Sequence, residues 1–231
     1  MRPDHDVIRV LGICGSERPR GNTDLLLEYA AERFASCHSI DIMRIIHLRD
    51  ENIVGLCGLC GDCNTRESVC AIDDGVNGIV QQMCQADGIL YGLPVHGFGA
   101  AGVMQQFIER AGVGFLRFNR PLTNKVAGIL VTGRRFSLEA VHTQMVYNVL
   151  LNRMILAGSG FPALLRGGAP GSALKDKEGM RALMSTVDRM AGLIQYFREG
   201  RKAGLNEALL KFSEKMSDEI TSDHVSRKGA L

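Results

Sequence analysis

Short apolar runs alternate with amphipathic helical patterns along most of this chain of 231 residues. Five runs have the length and the β-branched composition of buried strands: residues 7–13, 40–48, 88–95, 125–132 and 161–165. Five longer segments carry apolar residues at helical spacing: about 24–35, 75–87, 102–116, 137–157 and 176–198. This alternation predicts an α/β fold, a doubly wound parallel sheet with helices on both faces.

Composition excludes several classes of protein. The net charge of +2 gives no nucleic-acid signature. No apolar run approaches the roughly 20 residues of a membrane span, and the N-terminus lacks the apolar core of a secretory signal. The seven cysteines are an odd number, which a disulfide scaffold does not favour. We therefore expect a cytoplasmic protein with reduced thiols and with no nucleic-acid or membrane partner.

The loop GSERPRGNT, residues 15–23, joins the first strand to the first helix. Open parallel sheets bind ligands beyond the carboxyl ends of their strands, and a polar loop at a helix N-terminus suits an anion. The loop is not a nucleotide P-loop, because five residues separate its glycines and Asn22 stands where lysine is required. The alternative interpretation is a polar turn capped by Thr23.

Two further loops follow predicted strands at the same edge of the sheet. The segment LPVHGFGAAGVMQQFIER, residues 93–110, contains Pro94, which ends a strand, and glycines that let the backbone approach a flat ligand. The segment VTGRR, residues 131–135, ends the next strand with a glycine and two cations. Together the three loops suit a planar cofactor with a phosphate tail.

Four cysteines are concentrated in CGLCGDCNTRESVC, residues 57–70. A zinc site, an iron–sulfur cluster, a pair of disulfides and a redox-active dithiol are the alternatives. Structural zinc sites usually separate two C-x2-C pairs, whereas here the pairs share Cys60. Cubane clusters take four thiolates, which this loop provides. Cysteine binds either metal well, so the loop alone leaves the choice open.

The three loops resemble the flavin-binding loops of the flavodoxin-like, NADPH-dependent FMN reductase superfamily. The spacing C-x2-C-x2-C-x6-C, between the second strand and the following helix, resembles the iron–sulfur flavoprotein branch of that superfamily. The resemblance covers about residues 7–198. It implies one FMN and one [4Fe–4S] cluster per chain, in a five-stranded flavodoxin-like sheet of order 2-1-3-4-5.

The resemblance also implies which residues hold each group. The cluster ligands are Cys57, Cys60, Cys63 and Cys70. The cofactor-binding residues are Ser16, Arg18, Gly21, Asn22, Thr23, Pro94, Val95, His96, Gly97, Phe98, Thr132, Gly133 and Arg134. His96 stands where the family commonly has an aromatic residue. No catalytic acid or base is predicted, because the chemistry belongs to the cofactors.

The predicted function is an FMN- and [4Fe–4S]-dependent oxidoreductase that passes electrons from NAD(P)H or ferredoxin to a small-molecule or protein acceptor. One alternative is an NAD(P)H-dependent FMN or quinone reductase whose cysteine loop holds zinc or nothing. The other is a non-enzymatic redox sensor or electron carrier. Iron and sulfide in the protein would support only the first of these three functions.

The chain is predicted to consist of a flavodoxin-like domain at residues 1–200, including the cysteine loop within residues 52–72, and a helical extension at residues 201–231. Apolar residues recur in the extension three and four positions apart: Leu205, Leu209, Phe212, Met216 and Ile220. Such a helix needs a surface to cover its apolar face, which predicts a homo-oligomer, either a dimer or a tetramer.

Overall fold

The computed structural model of the chain describes residues 7–38, 40, 42–58, 70–115 and 120–205. In chain order the strands are β1 (Arg9–Cys14), β2 (Ile42–His47), β3 (Gly88–His96), β4 (Gly99–Ala100), β5 (Val126–Gly133), β6 (Ile155–Leu156) and β7 (Ala163–Arg166). Strands β2, β1, β3 and β5 lie side by side in that order, and both β6 and β7 pair with β5. All of these pairings are parallel, whereas β4 folds back antiparallel onto β3. The predicted α/β fold is confirmed.

Helices cover both faces of the sheet. They are α1 (Asn22–His38), α2 (Gly75–Gln85), α3 (Gly102–Phe107), α4 (Leu138–Leu151) and α5 (Lys177–Lys202), with a π-helix at Ile108–Phe115 and a 3₁₀-helix at Ser172–Lys175. Asp74 and Asp176 cap α2 and α5, each accepting a backbone N–H of the first turn. Within the described part of the chain, no helix combines the length and the apolar character that crossing a membrane requires.

The two faces of the sheet build two apolar cores. Successive residues of β3 alternate between them: Ile89 and Tyr91 join the core under α2, the π-helix and α4, whereas Leu90 joins the core under α1 and α5. Strand β5 alternates in the same way, with Ile129 on one face and Leu130 on the other. Burial on both faces explains why these strands are apolar throughout.

Among the described residues the sheet has seven strands with the path β2-β1-β3-β5-β6, so the predicted five strands in the order 2-1-3-4-5 are not confirmed. The additional strands are β4 and β6, each two residues long. Strand β6 lies within residues 137–157, which we predicted to be one helix. That helix ends at Leu151, where Arg153 takes the left-handed conformation with φ of 53°. The apolar residues that follow Arg153 then pair with β5, and the Ile155 N–H donates to the Lys125 carbonyl at 2.9 Å.

Two other helices differ from prediction. The segment predicted as one helix over residues 102–116 is the short α3 followed directly by the π-helix. The last helix, predicted for residues 176–198, continues to Lys202. Residues 206–231 lie outside the described part of the chain, so the predicted C-terminal extension stays a prediction.

Candidate functional site

The loop between β1 and α1 closes tightly on itself at the carboxyl edge of the sheet. The Ser16 hydroxyl is buried, accepts the Arg18 backbone N–H at 3.2 Å and lies at the same distance from the Arg18 carbonyl. The buried Thr23 hydroxyl lies 2.8 Å from that of Thr132, so the start of α1 is joined to the end of β5. Asn22 Oδ1 accepts the Ala173 backbone N–H at 3.3 Å. The loop therefore has a defined shape around the N-terminus of α1, where a helix favours anions.

A buried network beneath this loop is centred on Asp24. Its carboxylate accepts the Arg20 backbone N–H at 2.8 Å, the Cys14 thiol at 2.9 Å and Arg49 Nη1 at 3.0 Å. Burial alone would raise the pKa of Asp24, but hydrogen bonds from Arg49 and Cys14 outweigh it and lower the pKa. Arg49 Nη1 also donates to the Ser16 carbonyl at 3.1 Å. The network thus fixes the loop from behind.

Cys14, Asp24 and His47 place potential metal ligands within 4.8 Å of one another. Arg49 Nη2 lies 2.9 Å from Asp24 Oδ2, so a guanidinium already supplies positive charge to this carboxylate. Burial, followed by the hydrogen bond to Asp24, raises the pKa of the Cys14 thiol, which keeps the thiol in the donor form. We interpret the group as part of the hydrogen-bond network, because a thiol donor and a guanidinium both oppose a bound cation.

The second predicted loop is a tight hairpin between β3 and β4. Gly97 and Phe98 occupy its two central positions, and both have positive φ, 52° and 67°. Phe98 is a bulky residue in the left-handed region, where few side chains are tolerated, and 73% of its surface is exposed. His96, directly before the turn, has Nδ1 3.7 Å from Glu17 Oε2 of the first loop. The hairpin therefore carries an exposed aromatic side chain and lies beside the loop at residues 15–23.

A cleft of about 230 Å³ lies where the three predicted loops meet. The predicted residues that line it are Ser16, Arg18, Gly21, Asn22, Thr23, Pro94, Val95, His96, Thr132, Gly133 and Arg134. Gly97 and Phe98 line a neighbouring cavity of about 400 Å³ instead, together with Val95, Arg134, Arg135 and Phe136. Val95 and Arg134 border both spaces, so the two cavities are neighbours. The structure thus brings all the predicted cofactor-binding residues to one edge of the sheet.

Sequence reasoning missed a fourth loop of the cleft, which follows β7. Gly167, Gly168 and Pro170 line the cleft from this side. A Cβ at Gly167 would come within 2.5 Å of the Ala173 backbone nitrogen, so a side chain does not fit there. Gly168 lies against the Arg134 side chain. The signal was available, because this glycine pair follows the fifth predicted strand at the same carboxyl edge.

The cysteine loop begins on one side of the same edge and is described only at its ends. Cys57 and Cys70 are half-buried free thiols, whereas Cys60 and Cys63 lie outside the described residues. The buried Arg110 donates from Nη2 to Cys70 Sγ at 3.7 Å. Arg110 thus places a cationic donor against the sulfur of one predicted cluster ligand, and a free cysteine can serve as a ligand of such a cluster. The two described cysteines therefore fit the predicted ligand role chemically.

The family described as NADPH-dependent FMN reductase matches residues 8–167 of the chain. The chain belongs to the NADPH-dependent FMN reductase family. Membership extends over β1 to β7 and includes every loop of the cleft as far as Gly167. The protein is accordingly a flavin-dependent oxidoreductase.

Two curated relatives are similar to this chain over almost their whole length. An iron–sulfur flavoprotein of Methanocaldococcus jannaschii is 31% identical over 199 residues, covering 83% of this chain and 100% of the relative. An iron–sulfur flavoprotein of Methanosarcina thermophila is 26% identical over 200 residues, covering 84% of this chain and 99% of the relative. These relatives confirm the predicted resemblance to the iron–sulfur flavoprotein branch of the flavodoxin-like superfamily.

Solved structures of this fold include the crystal structure of RosB with bound 8-demethyl-8-formylriboflavin-5'-phosphate. It matches with a TM-score of 0.64 at 16% identity and covers 84% of this chain and 81% of RosB. A likeness at this level of identity shows the fold alone. Together with the family membership, it shows an α/β parallel sheet with flavodoxin-like neighbours.

Proposed function

We propose that this flavin-dependent oxidoreductase binds FMN in the cleft and a [4Fe–4S] cluster in the cysteine loop. The observation that carries the proposal is the convergence of the three predicted loops, from the ends of β1, β3 and β5, on one cleft. Parallel sheets bind ligands at this edge, and the position between β1 and β3 is where the strand order reverses.

The phosphate of FMN would lie against residues 15–23. Ser16, Asn22 and Thr23 offer polar side chains there, and the N-terminus of α1 offers backbone N–H groups. Arg18 adds a positive charge on the rim of the cleft. The Thr23–Thr132 hydrogen bond keeps this part of the cleft in one geometry.

The ring of FMN would lie between the segments 94–98 and 132–134. Gly133 and Gly168 have no side chain to block a flat ring, and a Cβ at Gly133 would come within 3.2 Å of Leu138 and Val95. The neighbouring cavity, with Phe98, Arg134, Arg135 and Phe136, gives a donor or an acceptor access to that ring. Bound FMN accepts a hydride or single electrons, and a cluster transfers one electron at a time.

The cluster ligands would be Cys57, Cys60, Cys63 and Cys70. Support comes from the names of the relatives, iron–sulfur flavoproteins, and from the buried cation that points at Cys70. NAD(P)H and reduced ferredoxin are the proposed donors, and a small molecule or a protein is the proposed acceptor. The proposed assembly is a cytoplasmic homo-oligomer.

The test is the cofactor content of the anaerobically purified protein. We expect bound FMN, about four iron atoms with equivalent sulfide per chain, and a broad absorption that dithionite bleaches. Cys60→Ala should lose its iron and keep FMN, because the two groups use different loops. Cys37→Ala is the matched control, since Cys37 is an exposed thiol at the end of α1.

Retention of wild-type iron in Cys60→Ala would contradict the cluster assignment. Zinc in place of iron would support the plain FMN or quinone reductase instead. An anaerobic assay with NADH, NADPH and reduced ferredoxin identifies the donor, and failure of all three to reduce the protein would favour a sensor or carrier.

A further inference from the structure

Arg110 is a buried cation that the proposed flavin chemistry does not use. It lies in the π-helix that follows α3, and only 1% of its side chain is exposed. A buried charge is costly unless an opposite charge and hydrogen bonds compensate it. π-helical segments frequently occur at functional sites. The contacts of Arg110 therefore indicate the role of its buried charge.

The guanidinium of Arg110 forms a two-pronged ion pair with Asp74, whose side chain is fully buried. Nη2 lies 2.7 Å from Oδ1, and Nη1 pairs with Oδ2. The same carboxylate accepts the Val54 backbone N–H at 3.0 Å and caps α2 through the Val76 N–H at 3.2 Å. Arg110 Nη1 also donates to the Gly55 carbonyl at 3.2 Å. The pair thus holds the chain just before Cys57 and just after Cys70.

Arg110 also contacts sulfur directly. Its Nη2 donates to Cys70 Sγ at 3.7 Å, and the Cys70 carbonyl accepts Asn77 Nδ2 at 3.0 Å. Cys70 is therefore positioned by its side chain and its backbone at once. An apolar replacement for the Arg110–Asp74 pair would often leave stability unchanged, so burial of the pair is weak support for a purely structural role.

We propose that Arg110 is a positioning residue for the iron–sulfur cluster: it fixes both ends of the cysteine loop and donates a hydrogen bond to the Cys70 sulfur. This inference rests on the proposed function. One-electron reduction, by the donor in the reaction or by dithionite in a titration, adds one negative charge to the cluster. The N–H of Arg110 stabilises that added charge, and hydrogen bonds to cluster sulfurs raise reduction potentials.

The experiment is a redox titration of the purified holoprotein, followed by electron paramagnetic resonance, with iron and FMN content measured alongside. Arg110→Met keeps the length of the side chain and removes its charge. We expect its equilibrium constant for cluster reduction to fall at least tenfold. This change lowers the reduction potential by about 59 mV for a one-electron couple. Arg110→Lys should give an intermediate potential, because lysine keeps the charge and loses the two-pronged geometry.

Asp74→Asn should shift the potential the opposite way. It keeps an oxygen to cap α2 but removes the negative charge that neutralises Arg110, so the cluster experiences a less compensated cation. Opposite shifts from the two partners of one ion pair are not expected if the pair only stabilises the fold. Arg33→Met is the matched control, because it breaks another two-pronged pair, with Asp188 on the opposite face of the sheet, at 2.7 and 2.8 Å. Its potential should equal that of the wild type.

An unchanged potential in an iron-replete Arg110→Met protein would overturn the inference while leaving the proposed function intact. If Arg110→Met does not retain iron, the potentials of Arg110→Lys and Asp74→Asn test the inference instead. Wild-type potentials in both of these variants would overturn it. Failure of all three variants to retain iron, with FMN bound and Arg33→Met fully loaded, supports the fixing of the loop ends. A wild-type protein that contains no iron would refute the cluster itself, and this inference with it.

Discussion

Asp24 and Arg49 form an ion pair that contacts the backbone of the loop at residues 15–23. Neither residue lines the cleft, yet Asp24 accepts the Arg20 backbone N–H and Arg49 donates to the Ser16 carbonyl. The Asp24 side chain is buried, and 15% of the Arg49 side chain is exposed. Loss of the guanidinium would leave a buried carboxylate without its cationic partner.

Arg49→Met should therefore weaken FMN binding although Arg49 is not predicted to contact the ligand. A charge-assisted hydrogen bond contributes about 1.5–3 kcal/mol, which corresponds to roughly a tenfold change in dissociation constant or more. The measurement is a titration of the FMN-free protein by flavin fluorescence. Arg33→Met, which breaks the pair with Asp188 far from the cleft, should bind FMN as the wild type does. Equal affinities in the two variants would show that the network does not shape the loop for binding.

At the scale of elements, the carboxyl edge of the sheet determines where the ligand can lie. Strands β1, β3, β5 and β7 are parallel, so the loops that follow them all emerge at this edge. Short contacts then join the loops: Thr23 to Thr132 at 2.8 Å, and Asn22 to Ala173 at 3.3 Å. The cleft is consequently assembled from segments more than 100 residues apart in the chain.

The double variant Asn22→Ala, Thr23→Val tests the proposed phosphate-binding end of this cleft. Valine keeps the shape of the buried threonine but removes its hydroxyl, and alanine removes the amide. We expect the dissociation constant for FMN to rise at least about tenfold, because charge-assisted hydrogen bonds to the phosphate are lost. Thr143→Val on the exposed side of α4 is the matched control. An unchanged constant in the double variant would mean that the loop is a structural turn only.

At the scale of the whole molecule, the described residues leave large apolar side chains uncovered. Tyr147 and Leu150 lie three residues apart on α4 and are 68% and 57% exposed, and Tyr196 on α5 is 72% exposed. The sequence adds a further apolar stripe beyond residue 205, with Phe212 and Met216 among its members. Single exposed apolar side chains are common on protein surfaces, whereas an amphipathic helix such as the one predicted beyond residue 205 needs a surface to cover its apolar stripe. We propose that the extension contributes to the homo-oligomer.

Removal of residues 206–231 should therefore give a smaller assembly in sedimentation velocity, with FMN still bound. The cut leaves α5 intact, because that helix ends at Lys202 and its C-cap is Ala203. Phe212→Asp should have the same effect as the truncation, whereas Lys211→Asp, which changes the polar side of the stripe, should not. A truncated protein with the full-length sedimentation coefficient would contradict a role of the extension in assembly.

The central strands and the edge of the sheet that carries the cleft can be predicted from the sequence alone. Buried strands must be apolar on both faces, so β1, β3 and β5 were recognisable as short β-branched runs, and the edge where their loops meet follows from their parallel direction. Residues 154–157 were misassigned to a helix because a short apolar run fits either period. Here the left-handed turn at Arg153 and pairing with β5 decided for a strand.

Only the tertiary structure decided which polar residues act together. Asp74 and Arg110 are separated by 36 residues, and Asp24 and Arg49 by 25, so no local pattern links either pair. The glycines after β7 became part of the cleft because that strand pairs with β5 and brings its loop to Arg134. Sequence patterns report the period and burial of single elements, whereas partners across the fold depend on the order in which the strands pair.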